Sequence, residues 1–108
     1  MLERDIQNPS VDKARQRGWY ARKYKNEHRR SAPDYFFAKQ GYLGVSTCFF
    51  VEFKATGEKP TILQAEEHEA MRNAGLRVYV CDSRDFFDQI MRLESKRVDE
   101  NWVSRAVL

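Results

Sequence analysis

The 108-residue sequence predicts one α/β domain ordered as helix, three strands, helix, strand and closing helix. Three observations predict it. Runs rich in aromatic and β-branched residues alternate with segments of helical period. One of those runs, residues 47–54, is the most apolar stretch of the chain and reads as the centre of a sheet. A helical segment separates it from a later strand-like run, an order that makes at least one strand pair parallel. No repeat, low-complexity tract or linker interrupts the chain, so residues 1–108 are expected to form a single domain.

The elements follow in order. Residues 2–16 suit a helix, with Leu2 and Ile6 four apart and Val11 and Ala14 three apart. Asn8-Pro9 interrupts the pattern, so either the helix begins at Pro9 or a longer one kinks there. Gly18 reads as its left-handed stop. Strands are expected over 19–24, 34–38 and 47–54, with a basic loop over 26–32 and a glycine-containing turn over 40–44. A helix over about 61–74 should present Leu63, Glu67, Ala70, Met71 and Ala74 at helical spacing and end at Gly75. A fourth strand over 76–81 follows. Asp82 or Ser83 can cap a last helix through about Arg92, with Phe86, Phe87, Ile90, Met91 and Leu93 inward. The remaining tail offers Trp102 and Val103 as apolar contacts and has no assigned place.

Hydrophobic residues make up 42% and charged residues 32% of the chain, a globular composition that excludes disorder. Its longest strongly apolar run, Cys48 to Val51, falls far short of the roughly 20 residues of a membrane span. The first residues lack the apolar stretch of a secretory signal, and a cytoplasmic protein is expected. Cys48 and Cys81 each lie in an apolar run and read as a buried reduced pair. With His28 and His68 they show no zinc-ligand spacing. The net charge is only +3, but residues 1–30 hold nine basic against four acidic side chains. That end is a phosphate-facing surface or a solvated basic face, with nothing in the composition to choose between them.

Three residues stand where chemistry would need them. Asp34 follows Pro33 at the mouth of the second strand, and Glu52 and Lys54 lie near the end of the third. Side chains two apart on a strand share a face, so Glu52 and Lys54 project together. Asp34 reaches them if the second and third strands pair as a hairpin. Two carboxylates and an ammonium suit a hard divalent cation, Mg²⁺ or Mn²⁺, which activates water and offsets charge on a phosphodiester. The lysine can stabilise the same developing charge. A turn dipeptide and a surface ion pair would leave the same traces, but charges ending so apolar a strand are costly unless a site uses them.

Pro33-Asp34 followed by Glu52-Phe53-Lys54 resembles the PD-(D/E)xK nuclease motif. More narrowly, the chain resembles a stand-alone VRR-NUC domain of the phage and bacterial type. The resemblance is carried by Gly18-Trp19-Tyr20-Ala21-Arg22-Lys23, Arg29-Arg30-Ser31-Ala32-Pro33-Asp34, Val51-Glu52-Phe53-Lys54-Ala55, Gly57-Glu58-Lys59-Pro60-Thr61, Leu63-Gln64 and Ala74-Gly75, and runs from residue 3 to about 83. It implies a restriction-endonuclease-like PD-(D/E)xK core, helix, three strands, helix and strand, plus a C-terminal helix. It implies that Asp34, Glu52 and the Phe53 carbonyl hold the metal, that Lys54 is the catalytic lysine, and that Gln64 supports the metal or its water. Glu3 matches an acidic position that can help the metal site. The family's glycine-containing approach to Pro-Asp is Ser31-Ala32 here, and its following basic residue is Tyr35; neither change removes a ligand.

The expected activity is therefore Mg²⁺- or Mn²⁺-dependent endonucleolytic hydrolysis of DNA, in a bacterial cell or a phage-infected host. By resemblance the substrate is branched DNA such as four-way (Holliday) junctions, and the enzyme is a homodimer. A catalytically silent DNA-binding module of the same fold and an RNA-directed nuclease are the rival readings. Among the basic residues that could flank the site, which include Arg22, Lys23, Lys25 and Lys39, phosphate contact is expected from Arg29, Arg30 and Lys59. Tyr20, Tyr24 and Tyr42 could stack on bases, although packing on the sheet is the commoner use of strand aromatics. His68, among Glu66, Glu67 and Glu69, reads as exposed and receives no role.

Overall fold

The computed structural model describes residues 1–25, 27, 28, 30–41 and 46–107, with side chains described as far as residue 98. Helix α1 (Glu3–Gln16) leads into strands β1 (Tyr20–Lys23), β2 (Tyr35–Gln40) and β3 (Ser46–Phe53); α2 (Ile62–Asn73), β4 (Val78–Cys81) and α3 (Arg84–Val107) follow. The sheet order is β1-β2-β3-β4, antiparallel at the first two ladders and parallel between β3 and β4. The apolar strand β3 is thus an inner strand, as expected, and the β3-α2-β4 unit supplies the parallel pair.

Alternation along β3 divides the molecule into two faces. Phe49, Val51 and Phe53 are fully buried and share a core with Ile6, Val11 and Ala14 of α1 and Phe87, Ile90 and Met91 of α3. Phe37 stacks on Phe49 at 5.1 Å, and Phe87 closes on both Phe37 and Phe53 at 5.5 and 5.9 Å. Glu52 points the other way, toward Gln64 and His68 of α2. On that second face Tyr24 packs edge-on to Phe50 at 5.2 Å and Tyr20 tilts on Phe36 at 5.7 Å, with the Arg22 guanidinium 4.3 Å from the Tyr20 ring centre. Packing across the sheet is what these two tyrosines do; Tyr42 lies outside the described residues.

Several expectations are corrected. Of the two alternatives for the first helix, the longer one holds: α1 starts at Glu3 and runs through Pro9 rather than beginning there, and Gly18 then turns the chain at φ +88°. Within that helix Leu2's expected partner Ile6 is buried, while Leu2 itself precedes the first turn and is exposed. Cys48 is exposed and only Cys81 is buried, because Cys48 lies on the face of β3 away from the core, before β4 pairing begins at Phe50. Leu63 is 69% exposed, and the buried residues of α2 are Gln64, His68 and Met71. In α3, Leu93 is 55% exposed and Phe86 is at the surface; Glu94 is buried instead, gripped by Arg77 through two nitrogens and by the Tyr79 hydroxyl. Ser83, not Asp82, caps α3 by accepting the Phe86 N–H at 3.0 Å. The helix continues past Arg92 to Val107 and takes in the stretch with no assigned place. No helix among the described residues is long and apolar enough to cross a membrane.

Candidate active site

The β2–β3 ladder brings the two carboxylates together. Tyr35 pairs with Val51, so Asp34 and Glu52 lie one step beyond that pair on neighbouring strands. Asp34 Oδ2 accepts the Phe53 N–H at 2.8 Å, which locks the carboxylate onto the end of β3. The Phe53 carbonyl belongs to the following peptide, whose Lys54 N–H donates to the Cys81 carbonyl at 2.9 Å. Glu3, on the first turn of α1, completes the group. Carboxylate oxygens of Glu3, Asp34 and Glu52 all lie within 4.8 Å of one another.

Two lysines and a glutamine surround these acids. Lys54 Nζ donates to Gln64 Oε1 at 2.8 Å and stands 3.7 Å from Glu52 Oε2. Gln64 is fixed by a capping box: its side chain accepts the Thr61 N–H at 2.9 Å, and its own N–H donates to Thr61 Oγ1. Its Nε2 reaches toward Glu52 Oε2 at 3.5 Å. Lys25 bridges the acids, with Nζ 3.1 Å from Glu52 Oε2 and 3.4 Å from Asp34 Oδ1.

Burial and charge pull the two carboxyls apart. Burial pushes Asp34 up to about 6, helped by the neighbouring Glu52 charge and opposed by the Phe53 N–H and Lys25. Glu52 is also disfavoured by burial, yet His68, Lys25 and Lys54 outweigh it and hold its carboxyl below the usual range. Lys25 loses solvation, but Asp34 and Glu52 more than compensate and raise it.

The expected site residues Glu3, Asp34, Glu52, Lys54 and Gln64 therefore converge on one spot beside the Phe53–Lys54 peptide. Arg30 and Lys59 are exposed, on the connections from β1 to β2 and from β3 to α2. Arg29 lies outside the described residues. Two residues join the site without having been singled out for it. His68 is 1% exposed, with Nε2 3.8 Å from Glu52 Oε1; neither atom has a hydrogen-bond partner among the described residues. Its position four residues after Gln64, hence on the same helix face, is the signal that could have found it. Lys25 carries no such signal within its run of basic residues.

This donor set suits a divalent cation of hard character. All three acids offer oxygen, two of them are largely withdrawn from water, and Glu52 Oε1 is a buried acceptor without a donor among the described residues.

No protein-family model matches the chain. A protein named "Putative nuclease p44", from Acyrthosiphon pisum secondary endosymbiont phage 1, is 39% identical over 83 residues, covering 77% of this chain and 85% of that protein. A solved structure of a VRR_NUC domain matches with a TM-score of 0.70 and 31% sequence identity, covering 83% of this chain and 94% of that one.

Proposed function

This chain belongs to the VRR-NUC family of nucleases, and we propose that it is a Mg²⁺- or Mn²⁺-dependent DNA endonuclease selective for branched DNA such as four-way junctions. Its architecture is the restriction-endonuclease-like one implied by Pro33-Asp34 and Glu52-Phe53-Lys54. The observation that carries the reading is the convergence of Glu3, Asp34 and Glu52 oxygens beside the Lys54 ammonium.

Asp34, Glu52 and the Phe53 carbonyl would hold the cation, with Glu3 in support. When bound, the cation supplies Lewis acidity that activates water and offsets the negative charge of the phosphate. The chain's own groups do the rest. Gln64 holds the Lys54 ammonium through its carbonyl oxygen, so the lysine is oriented before DNA arrives. From there Lys54 stabilises charge on the phosphate oxygens as the water attacks. The Phe53 N–H keeps Asp34 in place while its charge is used. Arg30, with Arg29 beside it in sequence, and Lys59 contact flanking phosphates and position the backbone.

Two copies in a two-fold dimer would offer two such sites to opposite strands of a junction. A chain of this size has little surface with which to grip two DNA arms alone. Its place of work would be the cytoplasm of a bacterial cell or of a phage-infected host.

The test is cleavage of an end-labelled four-way junction by wild type, Glu52→Ala and Lys54→Ala, in Mg²⁺, Mn²⁺ or EDTA. Paired symmetric nicks by wild type with either metal are expected, with none in EDTA and little from the variants. Salt-sensitive binding without metal-dependent cutting would instead identify a silent DNA-binding module. Preferential cutting of RNA would move the substrate class.

A further inference from the structure

Lys25 holds a position that neither the motif residues nor the flanking cations explain. The Tyr24 and Lys25 amides both donate to the Asp34 carbonyl, at 2.7 and 3.3 Å, so the backbone at the end of β1 is tied to the backbone that carries Asp34. The side chain then turns into the site, 22% exposed, and its ammonium spans Asp34 Oδ1 and Glu52 Oε2. Lys54 is arranged differently. Its nearest partner is Gln64, and its distance to Glu52 is longer.

Lys54 is thus anchored through α2, whereas among the described residues the Lys25 ammonium is held by the two acids. Those are the acids proposed to hold the cation. A divalent cation drawing on Asp34 and Glu52 competes with Lys25 for the same oxygens and repels its ammonium. A lysine displaced from buried carboxylates needs another anion within reach of its flexible stem. The phosphate diester of bound DNA is the anion that arrives at this site.

We propose that Lys25 is a charge-exchange residue, which neutralises Asp34 and Glu52 before the cation loads and passes to a DNA phosphate afterward, so that cation and DNA bind with positive coupling. This rests on the reading of Asp34 and Glu52 as cation ligands. It gives Lys25 a part distinct from that of Lys54: it governs when the cation enters and does not act on the attacking water. By the reciprocity of linked binding, the cation should also strengthen DNA binding.

The experiment measures Mn²⁺ binding to the full chain by electron paramagnetic resonance, with and without a short phosphorothioate duplex that keeps the backbone charge and resists cutting. Without DNA, Lys25→Met should bind Mn²⁺ about tenfold more tightly than wild type, within the usual range of site-to-site coupling. Adding the duplex should tighten Mn²⁺ binding to wild type and change Lys25→Met much less. Lys25→Arg, which keeps the charge, should follow wild type, and a circular-dichroism melt of Lys25→Met establishes that the variant is folded where its Mn²⁺ binding is read. Equal or weaker Mn²⁺ binding by Lys25→Met without DNA overturns the proposal, as does undiminished coupling to DNA. Glu52→Gln separates the two levels of inference. If it abolishes Mn²⁺ binding while Lys25→Met is neutral, only the role of Lys25 falls. If Glu52→Gln binds Mn²⁺ like wild type, the cation site itself falls, and the proposal with it.

Discussion

His68 Nε2 lies 3.8 Å from Glu52 Oε1 in a contact buried from solvent, where it is one of the groups that face the carboxylate. Burial disfavours the Glu52 charge, and His68, Lys25 and Lys54 together hold it in place. A carboxyl held below its unfolded value stabilises the fold above that value, and the gain is lost as pH falls through the folded one. His68→Leu should therefore move the acid-unfolding midpoint to higher pH. It should also raise, several-fold, the Mg²⁺ concentration for half-maximal cleavage, since a poorly supported carboxylate is a poorer ligand. An unchanged Mg²⁺ requirement would leave His68 a packing role only.

Asp34 has the opposite sign. Its carboxyl is raised to about 6, so its contribution to stability is complete below the unfolded value and lost as pH rises through 6. In metal-free protein Asp34→Asn should stabilise the fold at pH 7.5 by about 1–3 kcal/mol, with the gain fading toward pH 4. Thermal melts in EDTA across that range check this. A variant less stable than wild type at pH 7.5 would contradict it.

Gln64 serves the helix and the site together. Gln64→Ala removes half of the capping box and the acceptor that orients Lys54, so a loss of about 1 kcal/mol in urea unfolding is expected, with a fall of tenfold or more in cleavage rate. Thr61→Ala removes the other half of the box and leaves Lys54 its partner. Its stability loss should be similar and its rate close to wild type. Equal rates for the two variants would detach Gln64 from the chemistry.

A second buried acid tests stability away from the proposed chemistry. Glu94 is fully buried between Arg77 and Tyr79. Glu94→Ala strands the Arg77 charge and should cost about 3–5 kcal/mol in urea unfolding. Burial and the bond to Glu94 push Tyr79 up to about 12. A raised group stabilises the fold below its unfolded value, and the gain fades as pH rises through the folded one. Wild type should then lose stability from about pH 10 to 12, and Tyr79→Phe should lose less over that interval.

The strands were legible because β3 is apolar enough to declare its inner position, and the turn before Asp34 follows from Pro33. The acids and Lys54 were legible through strand alternation, and Gln64 and Glu3 through family resemblance. Helix α2 misled for a physical reason. It packs on an ionic site, so its buried face carries Gln64 and His68 while Leu63 faces outward, inverting the usual amphipathic rule. Similarly, the apolar positions of α3 could not announce that Glu94 would be buried, because its partners Arg77 and Tyr79 belong to the stretch around β4. Lys25 was one cation among many until the fold brought its ammonium to Asp34 and Glu52.

Strand β3 is paired on both sides at Phe50 and Val51, just before Glu52, and its pairing with β4 continues through Glu52 to Phe53. Amides in such a stretch exchange with solvent only when the whole sheet opens. The proposed ligand is thus mounted on an inner strand of the sheet, where opening is expected to be rare, whereas Arg30 and Lys59 ride on connections outside the sheet, which are expected to open more readily. Under mild denaturant, grip on DNA should fade gradually and the capacity to cut should vanish in one step, together with the fold.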